Sequence, residues 1–222
     1  MTIEDDQALD TDNGTREPKK KRAGRPQGSS REMTTARILN SALTCFTRRG
    51  YANTTFKHVA QGAGMTSPAI YQYYSSKAEL YGATLDLVYQ RLIPEIQMAS
   101  RADLNFREQI KVLLRATVEL QANAPEATAF LSTVAVESHR EEELRKYFMS
   151  RNSNVLEAIG GMFEQAKARG EIKSTRSNAN LAMFFLGSTI GMVLYHNGSE
   201  DTSMQEGIET MIDLIDNRFF SD

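Results

Sequence analysis

The chain has 222 residues, of which 41% are hydrophobic and 24% charged, and its formal net charge is −2. This length permits one large domain or two smaller ones, each with a buried core. The single cysteine, Cys45, excludes an intramolecular disulfide, and the acidic start lacks the pattern of a signal peptide. The longest apolar stretch, 181–195, is shorter than the roughly 20 residues that span a bilayer. We therefore expect a cytoplasmic protein without a membrane partner.

The charge is unevenly distributed along the chain. Residues 18–77 contain eleven lysines and arginines against a single acid, Glu32, whereas the flanking segments are acidic. A polyanion would therefore meet residues 18–77 first. Residues 1–17 are acidic and poor in large apolar side chains, and residues 19–28 form a run rich in Lys, Arg, Gly and Pro. We expect residues 1–28 to be a disordered acidic leader followed by a flexible basic arm, defined as residues 19–28.

Helical signals dominate from Ser29 onward. Ser29 and Glu32 have the spacing of a capping box, and Gly50 is a natural end for the helix that follows. Apolar residues then recur with helical spacing over residues 80–96, 110–120, 127–136, 144–168, 181–195 and 208–215. Pro94, Pro125, Gly170 and Gly198 punctuate these patterns, and Gly160-Gly161 predicts a kink or a split in the helix over 144–168.

No segment alternates apolar and polar residues as a strand would. The sequence therefore predicts an all-α fold of about nine helices. We expect a three-helix DNA-binding domain over residues 29–76 and a larger helical effector-binding and dimerisation domain over residues 77–222.

Residues 54–77 have the capping and turn residues expected of two short helices joined by a tight turn. Thr54 or Thr55 can cap the first helix, and Gly64 supplies the positive φ that the turn needs. Thr66 or Ser67 can cap the second helix, which we expect over residues 69–74, with Pro68 in its first turn. The inward-facing side chains are predicted to be Val59, Ala60, Ala63, Ile70 and Tyr74, with Met65 behind the turn.

The side chains left outside this second helix are predicted to be Ser67, Ala69, Gln72 and Tyr73. Small, amide and phenolic groups of this kind bond to phosphates or read base edges in the major groove. Ser76 and Glu79 have capping-box spacing, which places Lys77 at a helix N-terminus where it can hold a phosphate. The alternative interpretation is that Tyr71, Tyr73 and Tyr74 are aromatic core residues.

This pattern of capping, turn and core residues resembles the signature of the TetR family of transcriptional regulators. The resemblance covers about a fifth of the chain and rests on Arg37-Ile38-Leu39, Gly50-Tyr51, Thr54-Thr55, Val59-Ala60, Ala63-Gly64, Tyr71, Tyr73, Ser76-Lys77 and Leu80. Met65, Tyr74 and Ala78 depart from it. The resemblance implies phosphate contacts from Thr55, Tyr71, Tyr73 and Lys77. It also implies base-edge contacts from Lys57, Ser67, Ala69 and Gln72, and a contact between Phe56 and a thymine methyl group.

The basic arm contains Gly24-Arg25-Pro26, which resembles the core of hooks that bind the minor groove. Arginine suits the narrow, electronegative minor groove of A·T-rich DNA, so we expect Arg25 to contact it. The alternative is a solvated tail that only raises solubility.

The C-terminal domain is expected to form a homodimer and to bind a small, largely apolar molecule. The resemblance assigns the dimer interface to helices over residues 178–196 and 204–219, where Gly187 and Gly191 permit close packing, either across the dimer axis or within one subunit. Met and aromatic side chains often line adaptable apolar pockets, although any one of them can equally be ordinary core. The predicted ligand-binding residues are Phe130, Met162, Phe163, Met183, Phe184, Met192 and Tyr195.

The resulting functional prediction is a repressor that binds an inverted-repeat operator in double-stranded DNA and is released by its ligand. The alternative is an architectural or partner-regulated DNA-binding protein without an effector, for which a completely filled core would argue. A sensor of cations would need buried acids, for which Glu119 and Glu137 are the candidates. No motif of nucleophile and base predicts an enzyme, and the dispersed His58, His139 and His196 do not predict a metal site. No cofactor is expected.

Overall fold

The computed structural model describes residues 27–101 and 103–219. Within these ranges the chain forms nine helices and no strand, which confirms the predicted all-α fold. Arg25, the rest of the basic arm before Gln27 and the acidic leader lie outside the described residues. The helices are α1 (Gln27–Asn53), α2 (Phe56–Ala63), α3 (Ser67–Tyr71), α4 (Lys77–Arg101), α5 (Phe106–Asn123), α6 (Pro125–Arg140), α7 (Glu142–Ala168), α8 (Asn178–Asn197) and α9 (Met204–Ile215).

Gly50 interrupts α1 without ending it. Its φ of 71° and ψ of 171° are not helical, but helical turns resume and continue to Asn53. The helix also starts at Gln27, before the predicted capping residue Ser29. The expected stop at Gly50 is therefore a break inside the element, because glycine alone adopts this positive φ without steric cost.

The turn between α2 and α3 follows the prediction. Gly64 has left-handed backbone angles, φ 63° and ψ 42°, and its N–H donates to the carbonyls of Ala60 and Gln61. The guanidinium of Arg37 in α1 donates to the carbonyl oxygens of Ala63 and Gly64, which ties the turn to α1. The helix after the turn ends at Tyr71, earlier than predicted, although Tyr74 still reaches the core with 8% exposure.

Two long helices are more continuous than the sequence predicted. Pro94 lies inside α4 and removes one backbone hydrogen bond, yet the helix continues to Arg101. Gly160 and Gly161 do not split α7, which runs as one helix from Glu142 to Ala168. Gly160 lies against the start of α8, where a Cβ atom would meet the Cβ of Asn178 at 3.8 Å, an ordinary van der Waals distance.

Four aromatic side chains pack together where α1, α4 and α6 meet. The Tyr81 ring of α4 lies 4.9 Å from Phe46, 5.4 Å from Tyr51 and 4.9 Å from Phe130, measured between ring centroids. We call these four residues the junction cluster. All are at most 2% exposed. Since Phe46 and Tyr51 belong to α1 and Phe130 to α6, the cluster joins the N-terminal helices to the C-terminal bundle.

Carboxylates of α6 and α7 bind the end of α1 beside the junction cluster. Both oxygens of Glu137 accept from the Tyr51 N–H at 2.9 Å, and Glu143 accepts from the Tyr51 hydroxyl. Burial raises the pKa of Glu137, and the bond from Tyr51 opposes that rise. A Cβ atom at Gly50 would lie only 2.8 Å from Glu137 Oε1. The absence of a side chain at Gly50 therefore lets this carboxylate reach the backbone.

Replacing Glu137 tests whether its role at this junction is that of an acceptor. Glu137→Ala leaves the Tyr51 N–H without its partner, so we expect the free energy of unfolding to fall by about 1–3 kcal/mol. Glu137→Gln keeps a carbonyl acceptor on a side chain of the same length, so its free energy of unfolding should fall clearly less. Urea denaturation at neutral pH measures both variants. Equal losses would show that the acceptor at this position does not stabilise the junction.

Candidate nucleic-acid interface and internal cavity

The start of α2 is held by a reciprocal cap between Thr55 and His58. Thr55 Oγ1 accepts from the His58 N–H, and His58 Nδ1 accepts from the Thr55 N–H, both at 3.3 Å. Thr54, the other candidate cap, is buried and donates to the carbonyls of Cys45 and Gly50. This cap leaves Thr55 and its neighbour Lys57 on the surface.

Tyr71 extends from the end of α3 with 62% of its surface exposed. Its ring packs against Phe56, with centroids 4.6 Å apart, so a buried side chain supports the exposed phenol ring. Phe56 itself is only 8% exposed, which corrects the expectation that it touches a thymine methyl group. A shallow hollow lies beside these rings, lined by Thr54, Thr55, Phe56, Tyr71, Ser75, Ser76 and Lys77.

The outer side of α3 and the residues after it carry the other predicted DNA contacts. Gln72 is exposed, while Ser67, Ala69 and Tyr73 are half-buried. Arg31 was not among the predicted contacts, and its guanidinium lies 5.6 Å from the centre of the Tyr73 ring. The sequence offered one signal for Arg31, its position in the basic segment 18–77. Only the tertiary structure shows that α1 brings it next to Tyr73.

Lys77 is engaged inside the protein to a degree that the sequence did not predict. Its ammonium donates to the carbonyls of Tyr51 at 2.8 Å and Ala52 at 3.2 Å, and it lies 4.2 Å from the centre of the Tyr51 ring. The ammonium therefore binds the C-terminal end of α1. It still borders the hollow, where a remaining N–H is available to an anion.

The start of α4 has its own cap. Ser76 Oγ accepts from the Glu79 N–H at 3.0 Å, as predicted. The Glu79 carboxylate, however, accepts from the N–H and the hydroxyl of Ser75, and these bonds lower the pKa of Glu79. Together with Lys77, this cap fixes the angle at which α4 leaves the two short helices.

The C-terminal bundle contains an apolar cavity of about 120 Å³. Five helices enclose it, and none of the residues that line it has an ionised side chain at neutral pH. Glu119 is exposed and Glu137 is bound to Tyr51, so neither candidate acid for cation sensing lines the cavity. The lining residues are Tyr89, Leu92, Ile96, Leu113, Thr117, Leu120, Thr128, Leu131, Ser132, Val134, Ala135, Phe148, Asn152, Val155, Ile159, Phe185, Leu186, Thr189, Ile190 and Val193.

None of the seven predicted ligand-binding residues lines this cavity, and their part in ligand binding stays a prediction. Phe130 belongs to the junction cluster and Met162 to the core, each 1% exposed. Phe163 packs on Phe106, with ring centroids 4.8 Å apart, and Met192 packs beside Gly207 of α9. The remaining three, Met183, Phe184 and Tyr195, are 60–78% exposed. Residue type identified apolar side chains but could not show which helix face meets the cavity.

Helix α8 has two apolar faces. Phe185, Thr189 and Val193 face the cavity, while an outward stripe is exposed at helical spacing. A Cβ atom at Gly187 or Gly191 would meet nothing within 4 Å. By length and composition α8 also passes for a membrane-spanning helix, the one such candidate in the described part of the chain. The outward stripe consists of Met183, Phe184, Leu194 and Tyr195, while Ile190 lies at its edge, 39% exposed and also lining the cavity.

Metal ligation finds no support in the described ranges, where no three His, Cys, Asp or Glu side chains form a group that could hold an ion.

Comparisons with known proteins agree with this arrangement. Residues 38–84 match the model of the bacterial regulatory proteins of the tetR family. The chain is 24% identical to the HTH-type transcriptional regulator YfiR of Bacillus subtilis over 158 residues, which cover 71% of this chain and 77% of that protein.

Solved structures share the fold. FadR from Bacillus subtilis, in complex with stearoyl-CoA, has a TM-score of 0.70 at 16% identity and covers 83% of this chain and 99% of its own. AibR, in complex with isovaleryl coenzyme A and operator DNA, has a TM-score of 0.65 at 19% identity and covers 82% of this chain and 97% of its own.

Proposed function

Because the chain belongs to the TetR family of bacterial transcriptional regulators, we propose that it is a repressor that binds an inverted-repeat operator as a homodimer. A small, largely apolar molecule in the cavity releases it from DNA. The observation that carries this proposal is the continuity of α4, which starts at Lys77 beside the DNA-binding helices and lines the cavity from Tyr89 onward. These positions are roughly 18 Å apart along the helix at about 1.5 Å per residue. Its place of action is the cytoplasm.

In this proposal α3 enters the major groove. Its outer side and the start of α2 supply base contacts from Lys57, Ser67, Ala69 and Gln72, while Thr55, Tyr71, Tyr73 and Lys77 contact phosphates. The support is that Ile70 and Tyr74 anchor α3 in the core, whereas Tyr71 and Gln72 are exposed. Arg31 beside Tyr73 adds a cation to the same surface. Arg25 would extend the contact into the minor groove.

The homodimer would use the outward face of α8 together with α9. A stripe of large apolar side chains that one subunit leaves exposed is favourable to bury against a second copy. The open space around Gly187 and Gly191 supports packing across the dimer axis over packing within the subunit. In a two-fold symmetric dimer, the two copies of α3 would lie at half-sites about one helical turn of DNA, ~34–36 Å, apart.

Ligand release is supported by the shared helices. FadR and AibR, which have the same fold, were solved with acyl-CoA ligands. Helix α6 lines the cavity at Thr128 and Ala135, and it holds α1 through Glu126 and Glu137. A ligand can change DNA affinity only by preferring one arrangement of these elements. An architectural protein without an effector would need no such cavity.

Selection from a random pool of duplex DNA, at physiological salt and with purified protein, tests the core of the proposal. We expect the recovered sequences to share an inverted repeat, because two copies related by a two-fold axis read two equivalent half-sites. A pool enriched only in A·T-rich sequence without symmetry would favour the architectural alternative.

Two variants of adjacent exposed residues separate base reading from phosphate contact. Gln72→Ala should relax the preference at one position of each half-site by about 1–3 kcal/mol, since a bidentate amide pair discriminates by that amount. Tyr71→Phe keeps the ring on Phe56 and removes only the hydroxyl, so it should weaken binding to all sequences by one common factor. Fluorescence anisotropy on the selected operator and its single-base variants measures both. A position-specific loss for Tyr71→Phe would reverse the two assignments.

The dimer interface is tested by a charge on the outward face of α8. Phe184 is 68% exposed, and Phe184→Glu should shift sedimentation at micromolar concentration toward the monomer, because an ionised carboxylate is costly to bury in an apolar interface. Met98 of α4 is 59% exposed, and Met98→Glu provides the same charge away from α8. An unchanged sedimentation coefficient for Phe184→Glu, or an equal shift for both variants, would remove this face as the interface.

A further inference from the structure

The cavity lining includes two polar side chains from α4 and α7, close in sequence to an ion pair that joins these helices. These are Tyr89 of α4, which carries a hydroxyl, and Asn152 of α7, which carries a carboxamide. The adjacent residue Arg151 makes a bidentate ion pair with Asp86 of α4, with both N–O distances at 2.5 Å. This ion pair fixes the two helices relative to each other, so the two polar groups have defined positions.

The other polar side chains of the lining already donate to neighbouring carbonyls. Thr117 donates to Leu113 at 3.0 Å, Ser132 to Ala129 at 2.7 Å, and Thr189 to Leu186 at 2.9 Å. Thr128 donates to Pro125 at 3.0 Å. They therefore present mainly methyl groups and carbon atoms to the cavity.

Tyr89 and Asn152 differ from these residues, because no hydrogen bond to another described residue engages the Tyr89 hydroxyl or the Asn152 carboxamide. Tyr89 is 8% exposed, and burial raises its pKa to about 12, so it remains a neutral donor at physiological pH. Neither group is fully buried without a partner, since the Tyr81 hydroxyl is the only such side-chain atom in the described residues. A ligand with a matching group would therefore replace solvent at Tyr89 and Asn152. Two free polar groups in an otherwise apolar lining, on two helices joined by an ion pair, form a recognition site for one polar atom of a ligand.

The size and charge of the cavity limit what can occupy it. An enclosed apolar cavity of about 150 Å³ holds benzene, whereas this one measures about 120 Å³ and is not closed, since Ile190 of its lining is 39% exposed. A compound with a single ring therefore fits if part of it extends from the cavity beside Ile190. An ionised carboxylate or phosphate would enter without any cation in the lining to compensate for its lost hydration. The nearest guanidinium, that of Arg151, is already neutralised by Asp86.

We propose that the effector is an uncharged compound about the size of a single substituted aromatic ring or a short branched chain, with one carbonyl or hydroxyl group that Tyr89 and Asn152 bind. This inference rests on the proposed function, since it identifies the ligand class of the same sensor. It also separates this chain from a receptor for acyl-CoA, whose phosphates would have to stay outside the cavity.

Three ligands of equal heavy-atom number test the assignment by calorimetry on the DNA-free protein: acetophenone, isopropylbenzene and benzoate. Acetophenone has the carbonyl, isopropylbenzene lacks a polar atom, and benzoate is ionised at neutral pH. We expect acetophenone to bind about five- to tenfold more tightly than isopropylbenzene, as one hydrogen bond provides. Benzoate should bind at least tenfold more weakly than acetophenone. Isovaleryl-CoA should not compete with acetophenone.

Three variants test which side chains bind the carbonyl group of the ligand. Tyr89→Phe and Asn152→Leu should each reduce the advantage of acetophenone over isopropylbenzene several-fold, while leaving the affinity for isopropylbenzene nearly unchanged. Thr117→Val is the matched control, because its hydroxyl already bonds to Leu113, and it should preserve the ranking.

Several results would overturn the proposal. These are tightest binding of benzoate or isovaleryl-CoA, no binding of the neutral ligands, or an unchanged ranking in both Tyr89→Phe and Asn152→Leu. None of them would affect the inverted repeat found by DNA selection. Conversely, failure of that selection would leave the ligand ranking measurable, so the two failures are distinguishable.

Discussion

The packing of Phe46, Tyr51, Tyr81 and Phe130 against one another is the contact on which the rest of the structure depends. It joins α1, α4 and α6 in one buried cluster, with ring centroids 4.9–5.4 Å from Tyr81. Aromatic rings bury large areas and pack with little free volume, so a shift of one helix here must move the others. The N-terminal helices are therefore coupled to the bundle by close packing, and α4 extends that coupling to the cavity.

Polar contacts around the junction cluster also link the end of α1 to α4 and α6. Lys77 and Glu137 both bind the backbone at the end of α1, the first from the start of α4 and the second from α6. The break at Gly50 provides the space for Glu137. These side chains connect the start of α4 and the end of α6, two helices that line the cavity, to the helix that supports α2 and α3. A change in the tilt of α4 or α6 would thus be transmitted to the end of α1.

Much of the N-terminal site could be predicted because its signals are local. The positive φ of Gly64, the caps at Thr55 and Ser76, and the buried Ile70 all follow from residue type and spacing within a few positions. Phe56 and Lys77 were harder, because their partners Tyr71 and Tyr51 lie 15 and 26 positions away. Arg31 was missed for the same reason. In the C-terminal bundle the apolar pattern located the helices well, yet none of the predicted ligand-binding residues lines the cavity.

The amino-acid sequence by itself determined the all-α class, the approximate bounds of the nine helices and the two-helix motif with its turn, because these depend on periodicity, caps and glycine φ angles close along the chain. The tertiary structure decided which apolar residues surround empty space. Phe184 and Phe185 are adjacent and chemically identical, but one is 68% exposed and the other 6%. Their roles differ because successive residues of a helix point about 100° apart, and only the packing of α8 against its neighbours decides which direction is inward.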